Sequence, residues 1–448
     1  MPQSLKVNAA GHLEIGQCDA VMLASEFGTP LYVMDEDMIR GRMQEYRREM
    51  ERQLPSGIVA YAGKAFLTTA MCRLVAAEGL WLDVVSGGEL YTALTAGFPA
   101  DRILFHGNNK TDDELVLGLE AGVGRFVVDN FRELERLAEL AQKQHVRQRV
   151  LLRVSPGVTG HTHQYIQTGQ VDSKFGFPLV EGVHGLWAAV ARVLASESLA
   201  LCGLHSHIGS QINELEPFTR EAGTLMQTMA EIRRRFGVVL PELDVGGGLA
   251  SRYRKGDNPP AIGAYVEAVA AAVTESARRY DYPLPTVIVE PGRSIVAEAG
   301  TTLYTIGSKK VIPGVRTYLS VDGGMGDNPR PALYHATYQA VVANKAFASA
   351  TEIVTIAGKY CESGDILIWD AELAPAEPGD VLAVLSTGAY NYSMASNYNR
   401  VPRPAVVFVH GGEAELVVRR ESYADIVRND LIPARLESRT AAGGLARP

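Results

Sequence analysis

Lys64 stands in Tyr61-Ala-Gly-Lys64-Ala-Phe66, directly after a run, Gly57–Tyr61, that reads as a buried strand. An ammonium is costly to desolvate there; desolvation lowers a lysine pKa and leaves a nucleophilic amine able to form a Schiff base with an aldehyde. On position alone the same lysine could lie on the surface just past the strand end. Leu243-Asp-Val-Gly246-Gly247-Gly248-Leu249 closes a later run. Three glycines let backbone N–H groups approach a phosphate, although glycine triplets also serve simply as tight turns. Val289-Glu290-Pro291-Gly292-Arg293-Ser294 ends the next run with a second glycine turn, a carboxylate and a guanidinium. Beside a pyridine nitrogen Glu290 would keep that nitrogen protonated; at a helix start it would instead favour the helix dipole.

His205 and His207, in Leu204-His-Ser-His207-Ile-Gly-Ser210, have the period-two spacing that points two side chains to one side of a strand. No third group of suitable spacing accompanies them, so no metal is expected. His207 reads as a flat partner for a cofactor ring with Ser210 near its phosphate, and His205 as a structural histidine. Cys361-Glu-Ser-Gly-Asp365 places a thiol beside Glu362 in a polar loop. Packing is the usual role of a lone cysteine; here proton donation, at an ordinary thiol pKa near ~8.5, fits the setting better. Asn328-Pro-Arg330-Pro-Ala-Leu-Tyr334 and Thr387-Gly-Ala-Tyr390-Asn-Tyr392 read as loops supplying a guanidinium and phenols.

The elements that must position these groups alternate along the chain. Short β-branched runs fall at Gly57–Tyr61, Trp81–Val85, Arg102–Phe105, Arg125–Val128, Val150–Val154, Leu201–Ser206, Glu242–Val245 and Thr286–Val289. Each gap is long enough for a crossover helix, as parallel strands require. Thr111-Asp-Asp-Glu114 is a capping box, and Asn130 to Gln144 carries Leu134, Leu137 and Leu140 on one face. Eight such units over roughly 235 residues match a closed (β/α)8 TIM barrel, with an open doubly wound sheet as the competing architecture. The polar, glycine-rich motifs fall at nearly every strand end, which favours the barrel. After about Gly300 short β-rich runs separated by Gly, Pro and Asn predict an all-β C-terminal domain. The expected division is a barrel over 38–300, a β domain over 301–437 and a disordered tail over 438–448.

Composition narrows the class. With 448 residues, more than one core is expected. A net charge of −8 argues against a nucleic-acid partner, which needs a basic surface. Cys18, Cys72, Cys202 and Cys361 show no CxxC spacing and fit a reducing cytoplasm. Met1 to Gly11 lacks the basic and apolar runs of a secretory signal, and Ala261–Ala277, broken by Glu267 and Glu275, reads as a buried-face helix, not a membrane span.

Taken together, YAGKAF, LDVVSGGEL, FHGNNK, HIGSQI, GGGL, EPGRS, RPALY, CESGD and TGAY, in that order from residue 61 to residue 390, resemble the fold-type III pyridoxal-phosphate enzymes. The resemblance implies a β-sandwich or β-barrel domain that also takes in residues 1–37, including Leu31–Met34, and a head-to-tail homodimer with CESGD reaching the other subunit's site. It implies pyridoxal 5'-phosphate on Lys64, His207 on its ring face and Glu290 at its ring nitrogen. Ser210, Gly246, Gly247, Gly248, Gly292 and Tyr390 would hold the phosphate, and Arg153 would contact the cofactor near its ring oxygen. Arg293, Arg330, Tyr334, Glu362 and Tyr390 would hold the substrate, and Cys361 would supply a proton. One departure is Gly63 before the lysine, where a bulkier residue is more usual. The activity implied is decarboxylation of meso-2,6-diaminopimelate to L-lysine, since Arg293 and Arg330 suit a far carboxylate and Glu362 a far ammonium. Related decarboxylases acting on other basic amino acids or carboxynorspermidine, an amino acid racemase, and an inactive partner-binding relative are the alternatives.

Overall fold

The computed structural model describes residues 6–157 and 173–437; the tail expected to be disordered lies outside them. Eight strands carry the first part of the fold: β1 (Ile58–Ala62), β2 (Trp81–Val84), β3 (Ile103–Phe105), β4 (Arg125–Val128), β5 (Gln148–Ser155), β6 (Leu199–His205), β7 (Glu242–Asp244) and β8 (Thr286–Val289). Each pairs in parallel with the next, and β8 returns to β1 with Ile288 opposite Ile58 and Val289 opposite Val59. That closing contact decides for a barrel against an open sheet.

Strand alternation explains how the barrel fills. In β1, Ala60 belongs to an inner cluster with Leu104, Val127, Leu151, Cys202 and Ile288, while its neighbours Val59 and Tyr61 join the larger core against the helices. The amino-terminal end is plugged by charge. Arg125 Nε and Nη2 lie 2.9 and 2.7 Å from the two oxygens of Glu242, and Arg149 Nη2 lies 2.6 Å from the same carboxylate. Chemistry is therefore left to the opposite end.

Crossover helices follow as the sequence predicts: α1 (Thr69–Ala77), α2 (Gly87–Thr95), α3 (Asp112–Ala121), α4 (Phe131–Lys143), α5 (Leu186–Ala195), α6 (Glu216–Phe236) and α7 (Ile262–Arg279). The Thr111 hydroxyl accepts from Glu114 N and the Glu114 carboxylate accepts from Thr111 N, completing the capping box. Leu134, Leu137 and Leu140 of α4 are buried.

The second part is β-rich. Leu31–Asp35 is inserted between Gly300–Ile312, antiparallel, and Ala405–His410, parallel, so the N-terminal segment does join this sheet. Strands Ala340–Val342, Ile366–Leu373 and Glu413–Val418 escape the sequence pattern. In Ile366–Leu373 the alternation is broken at Asp370, which has φ +49°, and Glu413–Val418 is an exposed edge strand. Arg330–Tyr334 corrects the loop reading: it is a short helix, with Pro331 in its first turn, where a missing N–H costs nothing. Among the described residues no helix is long and apolar enough to cross a membrane.

Candidate active site

The carboxyl ends of the strands surround a cavity of about 970 Å³. Lys64, Arg153, His207, Ser210, Glu290, Arg293, Arg330, Tyr334 and Tyr390 all line it. Gly248 and Gly292 line a small recess that shares Lys64, His207, Ser210 and Arg293 with the main cavity. Residues from both parts of the chain thus meet at one place.

Lys64 sits in the single turn Gly63–Ala65 after β1. A Cβ at Gly63 would lie 2.9 Å from the Asp83 carbonyl oxygen, so the departure noted before the lysine is a matter of packing. Lys64 Nζ is 3.8 Å from Asp83 Oδ2, and the side chain keeps 38% of its surface open to the cavity. The expectation of a lowered pKa is corrected. Burial opposes the charge, but Asp83, Tyr390 and Glu290 outweigh it and push the amine above the ordinary lysine value. Asp83, deeper at 1% exposure, is itself pushed up by burial.

The glycine turn is shaped by close approach. Gly246 and Gly248 have φ of +61° and +118°, and a Cβ at Gly247 would lie 2.1 Å from the Glu290 carbonyl oxygen. Asp244 Oδ1 accepts from Gly246 N at 2.9 Å, and Glu290 N donates to the Gly246 carbonyl at 2.7 Å. These bonds lock the turn after β7 to the turn after β8. Gly247 N donates to His207 Nδ1 at 3.3 Å, which makes that nitrogen an acceptor. Burial, with Lys64 and Arg153 nearby, holds His207 well below the usual histidine range, a neutral flat ring in the cavity wall. Arg153 lies over the Phe175 ring at 4.2 Å, its pKa lowered by burial in spite of Asp129.

Glu290 is 5% exposed and held well below the usual carboxylate range; His106 and His205 outweigh its burial. The metal reading of His205 also changes. The chain near it offers no third group, but the barrel brings His106, Asp244 and Glu290 beside it, the four polar atoms lying within 4.8 Å of one another. They are occupied with each other: His106 Nε2 is 2.6 Å and His205 Nε2 3.2 Å from the Glu290 oxygens.

Two guanidiniums share one phenol. Arg293 Nη1 donates to Tyr253 Oη at 2.5 Å and Arg330 Nη1 to the same oxygen at 3.1 Å. Arg293 Nη2 also donates to Ser210 Oγ at 2.9 Å, and Arg330 Nη1 to Tyr338 Oη at 3.2 Å. Burial raises the Tyr253 pKa, but the two arginines prevail and lower it. Among the described residues both side chains are held by hydroxyls, with no carboxylate paired to either. Such a pair suits an anion. Cys361 and Glu362, in the turn between Glu352–Ala357 and Ile366–Leu373, are exposed and do not line the cavity. Sequence reasoning missed Tyr253 and left Asp83 and His106 without roles, although the latter two stand inside the motifs LDVVSGGEL and FHGNNK.

A closed parallel barrel with a lysine at the end of its first strand and two glycine turns after its last two defines a pyridoxal-phosphate enzyme of the alanine racemase type. The donors fit that cofactor: an amine open to the cavity, a neutral imidazole, an ionised buried carboxylate, and a recess at the glycine turns for a phosphate. Residues 38–297 match the family described as pyridoxal-dependent decarboxylase, pyridoxal binding domain. The chain is 53% identical to diaminopimelate decarboxylase of Bacillus subtilis (strain 168) over 95% of its own length and 96% of the relative's. A crystal structure of diaminopimelate decarboxylase from M. jannaschii superposes with a TM-score of 0.90 at 36% identity, covering 97% of this chain and 99% of that one. The same enzyme in complex with L-lysine gives 0.89 at 36% identity, with the same coverage of 97% and 99%. The chain belongs to the diaminopimelate decarboxylase family of pyridoxal-dependent decarboxylases.

Proposed function

We propose that the chain converts meso-2,6-diaminopimelate to L-lysine and carbon dioxide, with pyridoxal 5'-phosphate held at Lys64. The observation that carries the substrate choice is the buried pair Arg293 and Arg330, held by hydroxyls with no carboxylate paired to either among the described residues. A substrate with a carboxylate at its far end satisfies them with strong, geometrically selective hydrogen bonds. Lysine or ornithine would leave them unpaired at several kcal/mol, roughly 10³-fold in kcat/KM. The relatives named as diaminopimelate decarboxylases, one of them solved with L-lysine, support the same choice.

Bound pyridoxal phosphate supplies an electron sink for the pair left behind when the carboxylate departs. The chain does the rest. Lys64 holds the cofactor through Nζ, with Asp83 placed to receive the proton of that ammonium. Glu290 holds a proton at the ring nitrogen, and His207 lies against the ring face. Ser210, Gly248, Gly292 and Tyr390 hold the phosphate, with Gly246 and Gly247 shaping the turn behind it, and Arg153 the region of the ring oxygen. Arg293, Arg330, Tyr334 and Tyr390 grip the substrate, its far carboxylate falling to the arginines.

The protein works as a homodimer, in which Glu362 of the partner subunit takes the far ammonium and Cys361 of the partner subunit delivers a proton from Sγ to the α-carbon. The exposure of both residues, away from their own cavity, supports this. All four cysteines are free, which supports a reducing compartment, the cytoplasm. The test is carbon dioxide release by the purified, cofactor-loaded protein from meso-diaminopimelate, lysine, ornithine and carboxynorspermidine. Diaminopimelate should exceed the others by about 10³-fold in kcat/KM. Equal turnover of lysine would contradict the assignment.

A further inference from the structure

Glu290 does not face the cavity alone. The barrel brings three polar groups onto its carboxylate from the ends of other strands: His106 after β3, His205 closing β6 and Asp244 closing β7. His106 Nε2 lies 2.6 Å from Oε1 and His205 Nε2 lies 3.2 Å from Oε2, one imidazole on each oxygen. The two rings meet edge to face with centroids 4.7 Å apart, and all four side chains are buried. His106 Nε2 and Glu290 Oε1 make a close charge contact at 2.6 Å without hydrogen-bond alignment, whereas His205 Nε2 is hydrogen-bonded to Oε2 at 3.2 Å. At His205 the proton belongs on Nε2, which meets Glu290, since Nδ1 is buried with no partner among the described residues.

We propose that His106 and His205 are positioning residues, a two-imidazole clamp that keeps Glu290 ionised and thereby keeps the proton of the cofactor's ring nitrogen on nitrogen. The inference rests on the reading that Glu290 faces that nitrogen. A buried carboxylate without such donors prefers to be neutral, and beside a pyridine it would take the proton itself. Other groups act on Glu290 in both senses. Asp83 disfavours its charge, and Asp244, itself pushed well up by burial and by Glu290, keeps its proton toward that carboxylate. Arg153 and Lys64 favour the charge without hydrogen-bonding to it. Among the described residues neither histidine hydrogen-bonds to Arg293 or Arg330, so the effect of replacing them is expected at the ring.

The test is the 15N chemical shift of cofactor labelled at its ring nitrogen, measured in the holoenzyme without substrate. Asparagine is too short to put a donor where Nε2 stands, and glutamine reaches it. The ring nitrogen should be protonated in the wild type and in the His106→Gln/His205→Gln pair, and neutral in the His106→Asn/His205→Asn pair. In the Asn pair kcat should fall about tenfold or more, with KM little changed. A ring nitrogen that stays protonated in the Asn pair overturns the proposal, and so does one that loses its proton equally in the Gln pair. Should the Asn pair fail to fold, the single variants His106→Asn and His205→Asn are read by the same criterion. Glu290→Gln separates the two readings. A nitrogen still protonated there removes Glu290 from the ring, whereas loss there with retention in the Asn pair removes the clamp alone.

Discussion

An ammonium beside a buried carboxylate is a resting arrangement, and Lys64 next to Asp83 shows it: the charge is stabilised until a partner for the nitrogen arrives. The same interior forces the opposite outcome on an acid with no cation beside it. Glu221, on α6, is fully buried behind the barrel near Ser206, and burial pushes its carboxyl up to about 8. The folded chain therefore binds a proton there that the unfolded chain, with an ordinary glutamate, releases above about pH 4.5. Stability from this group is present at low pH, declines as the pH rises from about 4.5, and levels off above about 8. Glu221→Gln should flatten that decline by about 2 kcal/mol or more between pH 5.5 and 8. Urea midpoints of both proteins at the two pH values check it, and parallel curves would show the site is not protonated. At this scale Lys64, Glu290 and Arg293 were legible because each follows its strand within a few residues, beside glycines that local chain geometry makes conspicuous. Asp83, His106 and Tyr253 were not, because what they do depends on neighbours brought across the barrel mouth from other strands.

Elements position those residues through two glycine turns that touch. Gly247 leaves no room for a Cβ against the Glu290 carbonyl, so Gly247→Ala must push the loop after β8, and Glu290 with it, away from the cavity. Cofactor affinity, followed by absorbance on titrating the stripped enzyme, should fall about tenfold or more, in line with the ~1–3 kcal/mol cost of overpacking. An unchanged affinity would mean the two turns are not coupled. The barrel strands were readable as short β-branched runs with helix-length gaps, and the helix at Thr111 as a capping box, because both signals are local. The helix Arg330–Tyr334 was not, since its proline reads as a breaker unless its place in the first turn is known. The strand Ile366–Leu373 was hidden by its break at Asp370.

For the whole molecule, the arrangement leaves each cavity with an amine, a buried carboxylate and two arginines but without the thiol and carboxylate of CESGD. A homodimer with shared sites makes a strong prediction for mixtures. Lys64→Ala and Cys361→Ala proteins, each inactive alone, should regain about a quarter of wild-type activity when dissociated and reassociated together, since a hybrid carries one intact site. No recovery would place Cys361 outside any shared site. The closed barrel was expected from the strand count and the motif positions, and the return of β8 to β1 bears it out; the exposure of Cys361 has no counterpart in sequence, because it depends on where the second part of the chain packs. The central claim is that the Lys64 amine is the one bonded to the cofactor. The direct measurement is borohydride reduction of the loaded enzyme followed by peptide mass mapping. The cofactor's mass should appear on the peptide containing Lys64 and nowhere else; finding it on Lys110 or another lysine, with Lys64 unmodified, would contradict the account.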